Sequence, residues 1–285
     1  MKNNRCYLCD SANLRNRKGS VRDNKELKVL ECANCGLVFL NSFEHIRTGF
    51  YENSGMFQGK VDISAYLKQT STDDERRFKQ FSEFITNKSI LDFGCGCAGF
   101  LMQAKKLASI CCGVEPNKDF QEHYNKIDIQ VFPNIDSIDK IFDIIFMFHV
   151  LEHIEDPINL LQKLKSLLNA NGRLIVKVPS SDDALLTLYN NNGFSHFTYW
   201  SPHLFLYNQK TLADLMKKSG FEIEYIQQFQ RYGLSNHLHW LSNDKPGGHA
   251  KWYFLDSQEM NSAYATALAK IGKCDTVIGS FSQQI

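Results

Sequence analysis

From residue 89 onward, short apolar runs alternate with stretches of helical periodicity. The apolar runs are too short for ordinary helices and are bounded by glycine and polar residues, which is typical of buried strands. The runs are Ile90–Phe93, Ile110–Glu115, Ile141–Met147 and Arg173–Val178, and the helical stretches include Gly99–Leu107 and Pro157–Leu168. Because parallel strands need long crossover connections, this alternation predicts an α/β fold with a doubly wound sheet.

The composition excludes several classes of protein. Of the 285 residues, 32 are Lys or Arg and 31 are Asp or Glu, so the net charge of +1 gives no overall attraction to nucleic acid or to an anionic membrane. The longest apolar run, Ile141–Leu151, is too short to span a bilayer and contains Asp143 and His149. The chain starts MKNNRCYLCD, which contains no apolar signal region. We therefore expect a cytoplasmic protein without membrane insertion.

The chain divides by composition into four segments. Residues 1–40 are polar and rich in turn residues, and residues 41–88 form a connector that ends in an amphipathic helix, Asp73–Ile85. Residues 89–230 contain the alternating pattern. Residues 231–285 form a C-terminal extension, rich in His, Trp, Tyr and Asn, which we expect on the substrate side.

Two pairs of cysteines near the N-terminus have the spacing of metal ligands. Cys6 and Cys9 form one C-x-x-C pair, Cys32 and Cys35 form another, and a short insert separates them. Each pair can supply two thiolates to a tetrahedral zinc ion, which would also contribute the folding free energy that this core-poor segment lacks. We predict a structural zinc ribbon; the alternatives are a redox pair or four unrelated thiols.

A glycine-rich turn follows the first of the predicted core strands. In ILDFGCGCAGFL the strand ends at Asp92, and a helix begins after the turn. Gly94 and Gly96 allow a ligand to approach the backbone, and the helix N-terminus offers free N–H groups. The next strand ends at Glu115, where a carboxylate can accept both hydroxyls of a ribose. The order strand, turn, helix, strand and acid predicts a nucleotide-type cofactor site.

These motifs resemble those of the class I S-adenosylmethionine-dependent methyltransferases. The first motif of that family is an acid followed by Gly-x-Gly-x-Gly; Asp92, Gly94 and Gly96 match it, and Ala98 replaces the third glycine. Dinucleotide-dependent oxidoreductases share this turn, but they do not usually show an HVLEH segment such as the one that contains His149.

Two further segments extend the resemblance. Phe142–Pro157 is similar to the region of the fourth strand of the family, and Asn171–Ser180 is similar to the fifth. The resemblance covers roughly residues 75–230. It implies a Rossmann-like doubly wound α/β sheet, here preceded by the small zinc ribbon, and S-adenosylmethionine (SAM) as the cofactor.

The resemblance also implies which residues bind SAM. They are Asp92, Gly94, Cys95, Gly96, Glu115, Asn134, Phe148 and His149. The glycine-rich loop would line the methionine end, with the acid before it orienting the loop or meeting the amino group through water. The acid at the end of the second strand would hold the ribose, and the asparagine would approach the adenine. The last two residues would lie beside the methyl donor, with core packing as the alternative for Phe148.

Methyl transfer to a hydroxyl requires a base, and histidine is the usual base near neutral pH. We predict three candidates, with His203 first, followed by His149 and His196. His203 and His196 follow the fifth core strand and are expected to lie over the site. His149 lies near the cofactor by resemblance, and its alternative role is to bind donor or substrate.

Two stretches beyond the core strands, His196–Leu212 and Arg231–Trp252, mix aromatic residues with His and Asn. Such a mixture suits a sugar ring or another small polar molecule, and the alternative is core packing. A four-cysteine ribbon before this catalytic domain resembles bacterial methyltransferases of cell-surface polysaccharide and deoxysugar pathways. Zinc-bearing sugar C-methyltransferases usually carry an extra C-terminal domain, which is missing or reduced here, so we favour O-methylation of a sugar or sugar nucleotide.

Two other functions stay open. A ribosomal-RNA base methyltransferase would use the ribbon to bind RNA, because basic residues outnumber acidic ones in residues 1–40. The basic residues are Lys2, Arg5, Arg15, Arg17, Lys18, Arg22, Lys25 and Lys28. Only Tyr7 and Phe39 are aromatic in this segment, which disfavours base stacking. A catalytically inactive binding module is the other alternative, and the sequence does not fix the oligomeric state.

Overall fold

The structure, a computed structural model, describes residues 4–53, 59 and 61–283. The strands are β1 (Leu14–Asn16), β2 (Val29–Cys32), β3 (Val38–Leu40), β4 (Ser89–Phe93), β5 (Ile110–Val114), β6 (Gln130–Phe132), β7 (Phe142–Phe148), β8 (Leu168–Pro179), β9 (Phe205–Leu206), β10 (Phe221–Phe229) and β11 (Thr276–Gln283). The helices are α1 (Ile63–Ile85), α2 (Gly99–Ala104), α3 (Gln121–Ile127), α4 (Pro157–Ser166), α5 (Ala184–Thr187), α6 (Asn192–Thr198), α7 (Gln209–Lys218), α8 (Leu234–Asn243), α9 (Gly248–Lys251) and α10 (Gln258–Lys270). No helix in these ranges is long and apolar enough to cross a membrane.

Seven strands form the central sheet in the order β10-β11-β8-β7-β4-β5-β6. The strands from β8 to β6 are parallel to their neighbours, whereas β11 runs antiparallel to both β8 and β10. Successive residues of β7 alternate between two apolar clusters: Ile145 and Met147 join one, and Ile144 and Phe146 join the other. A strand covered on both faces needs a continuous apolar run, so the prediction of a Rossmann-like doubly wound α/β sheet is confirmed.

The structure differs from the predicted division of the chain at its C-terminus. The predicted boundary at residue 230 leaves Thr276–Gln283 outside the core, but this segment is β11 and lies inside the sheet. Its first six residues are all buried, because β8 and β10 flank it and both faces of the sheet are covered. The segment 231–285 is therefore an extension only up to β11. Helix α1 also starts earlier than predicted, where the Asp62 side chain accepts a hydrogen bond from the amide of Ala65.

The cysteine-rich segment forms a second sheet, which includes a strand from the catalytic core. Strands β1, β2 and β3 are antiparallel, and β3 pairs with β9 through Val38 with Leu206 and Phe39 with Phe205. The hydroxyl of Tyr7 donates to Oδ1 of Asp156, the N-cap residue of α4, at 2.5 Å. The ribbon therefore packs on the domain of the central sheet and shares an apolar cluster with it.

Candidate active site

A cavity of about 470 Å³ lies at the carboxyl ends of β4, β5 and β7. The chain passes from β4 to β5 on one side and later returns to β7 on the other, so the cavity lies at the switch point where ligands bind in open α/β sheets. All eight residues that the sequence predicted to bind the cofactor line it. They are Asp92, Gly94, Cys95, Gly96, Glu115, Asn134, Phe148 and His149.

The glycine-rich turn between β4 and α2 requires backbone conformations that most residues avoid. Gly94 has φ +79° and Gly96 has φ +51°. A side chain at Gly94 would also collide with the side chain of Val150. Ala98, at the third glycine position of the motif, adopts φ +59° and is fully buried. The substitution by alanine thus keeps the left-handed backbone at that position, at the cost of some strain.

The carboxylate of Glu115 connects the end of β5 to this turn. Its Oε2 accepts a hydrogen bond from the amide of Gly96 at 3.0 Å, and its Oε1 accepts from the amide of Asn117 at 3.0 Å. Burial raises the pKa of Glu115, and the two amide donors oppose that shift. The carboxylate is therefore fixed in position at the edge of the cavity.

Asp92 is the most deeply buried acid of the cavity wall, with 3% of its surface exposed. Burial raises its pKa to about 7; the carboxylates of Asp74 and Glu115 act in the same direction, and Arg77 opposes them. The carboxyl group is thus near the midpoint of its titration at neutral pH. A cationic ligand group placed beside it would favour the ionised form.

Charged groups that the sequence analysis did not single out also line the cavity. Asp73 on α1 accepts hydrogen bonds from both Arg76 and Arg231. The backbone amide of Arg231 donates to Asp275 Oδ1 at 2.9 Å, which fixes the loop after β10. Asp73 and Arg231 both line the cavity. The helical spacing of acids and bases in the segment DDERR is the signal in the sequence that could have indicated the pair of Asp73 with Arg76 within α1.

Arg77 adds a second cation to this wall of the cavity. Its Nη1 lies 3.1 Å from Asp74 Oδ1, and its guanidinium lies 4.7 Å from the centre of the Phe148 ring. Phe148 in turn stacks on Phe146 in the core, with ring centres 5.2 Å apart. Phe148 therefore has a packing role and at the same time lines the cavity.

His149 follows directly after β7 and has φ +59°, a strained conformation for a residue with a side chain. Among the residues that the structure describes, its buried Nε2 has no hydrogen-bond partner, and its Nδ1 lies 3.6 Å from Glu152 Oε1. Burial and the nearby cations of Arg231 and Lys177 hold the pKa of His149 well below its usual range. The imidazole is therefore neutral at physiological pH.

The structure places the other two predicted bases outside the cavity wall. His196 is exposed on α6, and its Nδ1 lies 3.0 Å from the hydroxyl of Ser20 in the ribbon. His203 lies behind His153, with ring centres 5.0 Å apart, and its Nδ1 hydrogen-bonds to the carbonyl of Thr198. We expected both residues to lie over the site, and the structure differs. His196 is on α6, which packs towards the ribbon, and His203 packs against His153 and bonds to the carbonyl of Thr198.

The aromatic rings of the two stretches form packing contacts. Trp240 is 2% exposed, and its ring lies 5.2 Å from Phe194 and 5.3 Å from Phe197. The guanidinium of Arg22 from the ribbon lies 4.5 Å from the ring of Trp200. These rings attach the C-terminal part of the chain and the ribbon to the core.

The four predicted zinc ligands lie together. Cys6 Sγ is 3.5 Å from Cys35 Sγ, Cys9 Sγ is 3.5 Å from Cys32 Sγ, and all four sulfur atoms lie within 4.8 Å of one another. None of the four is in a disulfide. Zinc–sulfur bonds of about 2.3 Å place the sulfurs of a tetrahedral site about 3.8 Å apart. The group therefore has the composition and size of a four-thiolate zinc site.

The central domain matches a family model described as a methyltransferase domain, over residues 66–226 and thus over more than half of the chain. The chain belongs to this methyltransferase family. The structure of a SAM-dependent methyltransferase from Archaeoglobus fulgidus has the same fold, with a TM-score of 0.53 and 19% identity over 76% of this chain and 99% of that one.

Two curated relatives indicate the range of acceptors among similar methyltransferases. A tRNA U34 carboxymethyltransferase from Nautilia profundicola is 31% identical over 32% of this chain and 34% of its own length. A ubiquinone biosynthesis O-methyltransferase from Histophilus somni is 26% identical over 47% of this chain and 60% of its own length. The matched part of the chain thus spans less than two thirds of the length of either relative. The names of these two relatives give different acceptors.

Proposed function

We propose that this methyltransferase transfers the methyl group of SAM to a hydroxyl of a small, polar acceptor. A sugar or sugar nucleotide of bacterial cell-surface polysaccharide biosynthesis is the acceptor class we favour. The observation that carries the proposal is the set of groups that lines one cavity. Its wall includes the glycine-rich turn and Glu115, the guanidinium groups of Arg77 and Arg231, and the neutral imidazole of His149.

The glycine-rich turn, Glu115 and Asp92 are suited to hold SAM. The open backbone at Gly94 and Gly96 would accept the methionine part, and both oxygens of Glu115 would accept hydrogen bonds from the ribose hydroxyls. Asp92 would attract the ammonium group of the ligand. SAM itself supplies an activated methyl group on a positively charged sulfur. The protein's task is then to align the acceptor oxygen with that methyl group and to remove a proton.

Three groups of the cavity wall are suited to bind and deprotonate the acceptor. Arg77 and Arg231, each held by an aspartate of α1, would donate hydrogen bonds to oxygen atoms of the acceptor. His149 would take the hydroxyl proton on its Nε2, which is buried and has no hydrogen-bond partner in the part of the protein that the structure describes. This assignment replaces His203 as the first candidate for the base.

An RNA acceptor is the alternative, and the similarity to the Nautilia enzyme is the observation that favours it. The basic side chains of the ribbon argue against it, because several of them contact protein groups. Arg5 pairs with Asp10, Arg15 and Arg17 pair with Glu31, and Arg22 lies over Trp200. Such pairs leave less positive charge for phosphates than the composition suggests.

We also propose that Cys6, Cys9, Cys32 and Cys35 hold one structural zinc ion. Four thiolates fill all positions of a tetrahedral site, so the zinc would have no open position for a substrate. The support is the distance between the sulfur atoms and the small core of the ribbon, whose strands are only three or four residues long.

Calorimetric titration of SAM and its product S-adenosylhomocysteine into the full chain tests the proposal, followed by transfer of radiolabelled methyl groups to sugar nucleotides and to tRNA. We expect micromolar binding and labelling of a sugar nucleotide. Labelling of tRNA, with binding that weakens steeply as salt rises, would support the alternative. Folded, zinc-containing protein that binds neither SAM nor its product would contradict the proposal and leave the binding module.

The affinity for S-adenosylhomocysteine should depend on pH through Asp92. The pKa of Asp92 is about 7 in the ligand-free protein, and the ammonium group of the ligand requires the ionised form. Below pH 7 the carboxyl must lose its proton on binding, so the affinity should fall by up to about tenfold per pH unit, whereas above pH 7 it should level off. Titrations from about pH 5.5 to about pH 8 measure this effect. Asp92→Asn should bind more weakly and without this dependence; an equal slope in the variant would contradict the assignment.

A further inference from the structure

Three polar side chains beside the cavity are not used by the mechanism above. Glu152 and His153 lie in a short 3₁₀ turn after β7, and His203 lies just before β9. One donor atom from each lies within 4.8 Å of the other two. Glu152 is 1% exposed and His153 is 8% exposed, so the group is part of the protein interior. Buried groups of this kind need partners.

Two backbone carbonyls fix the orientation of both imidazoles. His153 Nδ1 lies 2.8 Å from the carbonyl oxygen of Pro202, and His203 Nδ1 lies 3.2 Å from that of Thr198. A carbonyl oxygen only accepts hydrogen bonds, so each Nδ1 carries the hydrogen and each Nε2 carries the lone pair. Metal-binding histidines are commonly held in this way, with the second ring N–H donating to a carbonyl.

One oxygen of the Glu152 carboxyl group is left unpaired by the residues that the structure describes. This oxygen, Oε2, is buried and has no hydrogen-bond partner among them. Its Oε1 lies 3.6 Å from His149 Nδ1, which is longer than an ordinary hydrogen bond. A cation beside this carboxyl would satisfy the oxygen that the protein leaves unpaired.

We propose that Glu152, His153 and His203 bind a divalent first-row transition-metal ion. Two imidazoles and one carboxylate are a donor set that such ions take while keeping positions open for further ligands. Donors on opposite sides of such an ion are about 4.2 Å apart for bonds of about 2.1 Å, so the observed spacing is close to the size required. This site is separate from the four cysteines and differs from them in its ligands.

The site adjoins the cavity, because His153 also lines the cavity. Tyr51, another lining residue, donates a hydrogen bond from its hydroxyl to the carbonyl of His153 at 2.9 Å and supports that wall. The role of the ion rests on the proposed function: it would bind the acceptor oxygen, orient it and make its proton easier to remove. The binding of the ion does not depend on that function.

Titration of Co²⁺ into the full chain with zinc already in its ribbon tests the site without SAM or an acceptor. We expect the wild type to bind one additional Co²⁺ per chain, with weak visible absorption and no thiolate charge-transfer band. Glu152→Gln and His203→Gln should each weaken this binding by at least about tenfold. His196→Gln, which changes an exposed histidine outside the group, is the matched control and should bind as the wild type does.

The wild-type titration decides the proposal even where a variant fails to fold. Folded, zinc-containing wild type that binds no additional Co²⁺ would overturn it, and the three side chains would then be bridged by water. Undiminished Co²⁺ binding by both folded variants would also overturn it. In either case SAM binding by the same sample remains a separate measurement, so failure of the metal site and failure of the proposed function are distinguished.

Discussion

Cys32→Ser is expected to remove zinc from the protein and to unfold the ribbon. The apparent free energy of zinc binding to such sites is about 10–16 kcal/mol, and the three short strands of the ribbon contribute little apolar core of their own. The effect should extend to the catalytic domain, because β3 pairs with β9 and both strands belong to one apolar cluster. A loss of about 3 kcal/mol there would lower Tm by roughly 6–12 °C.

Zinc content and thermal unfolding of the purified variant check this expectation. Cys111→Ser is the matched control, because Cys111 is a half-buried thiol on β5. Its Sγ donates to the carbonyl of Leu101 at 3.6 Å, and a serine hydroxyl can donate there as well. The control should keep its zinc and nearly all of its stability. A Cys32→Ser protein with one bound zinc and an unchanged Tm would show that the four cysteines are not a zinc site.

The parts of the fold that the sequence predicted are those with strong local signals. The four core strands are continuous apolar runs because the sheet is covered on both faces, and such runs stand out against polar neighbours. The last strand, Thr276–Gln283, was missed because its sequence TVIGSFSQ mixes serine and glycine with apolar residues. Only its position between β8 and β10 buries it, and that position is a long-range property.

The residues of the candidate site also differ in how strong their local signals are. The proposed cofactor residues belong to one local unit, strand–turn–helix–strand, so residues such as Gly94 and Glu115 could be placed from the sequence alone. The charged side chains that also line the cavity come from α1 and the loop after β10, which are far apart in the chain. The contact between Asp73 and Arg231 therefore has no local signal, and the base was sought in the segment after β8, which the structure turns towards the ribbon.

Glu115→Gln is expected to weaken binding of S-adenosylhomocysteine by about 10- to 150-fold. Both carboxylate oxygens accept hydrogen bonds from backbone amides, of Gly96 and Asn117. Glutamine keeps one accepting oxygen but places an NH₂ group at the other position, where it faces an N–H donor and cannot accept from a ribose hydroxyl. A hydrogen bond to a charged group is worth about 1.5–3 kcal/mol, so the loss of one corresponds to about one to two powers of ten in Kd.

Calorimetric titration of the folded, zinc-containing variant measures this loss. Glu122→Gln is the matched control, because Glu122 lies on the surface of α3, with 83% of its side chain exposed, and pairs with Lys126. It should bind S-adenosylhomocysteine as the wild type does, since a surface ion pair contributes little and lies outside the cavity wall. A Kd within threefold of the wild type in Glu115→Gln would mean that the ribose is held elsewhere. The acid at the end of β5 would then serve only to fix the glycine-rich turn.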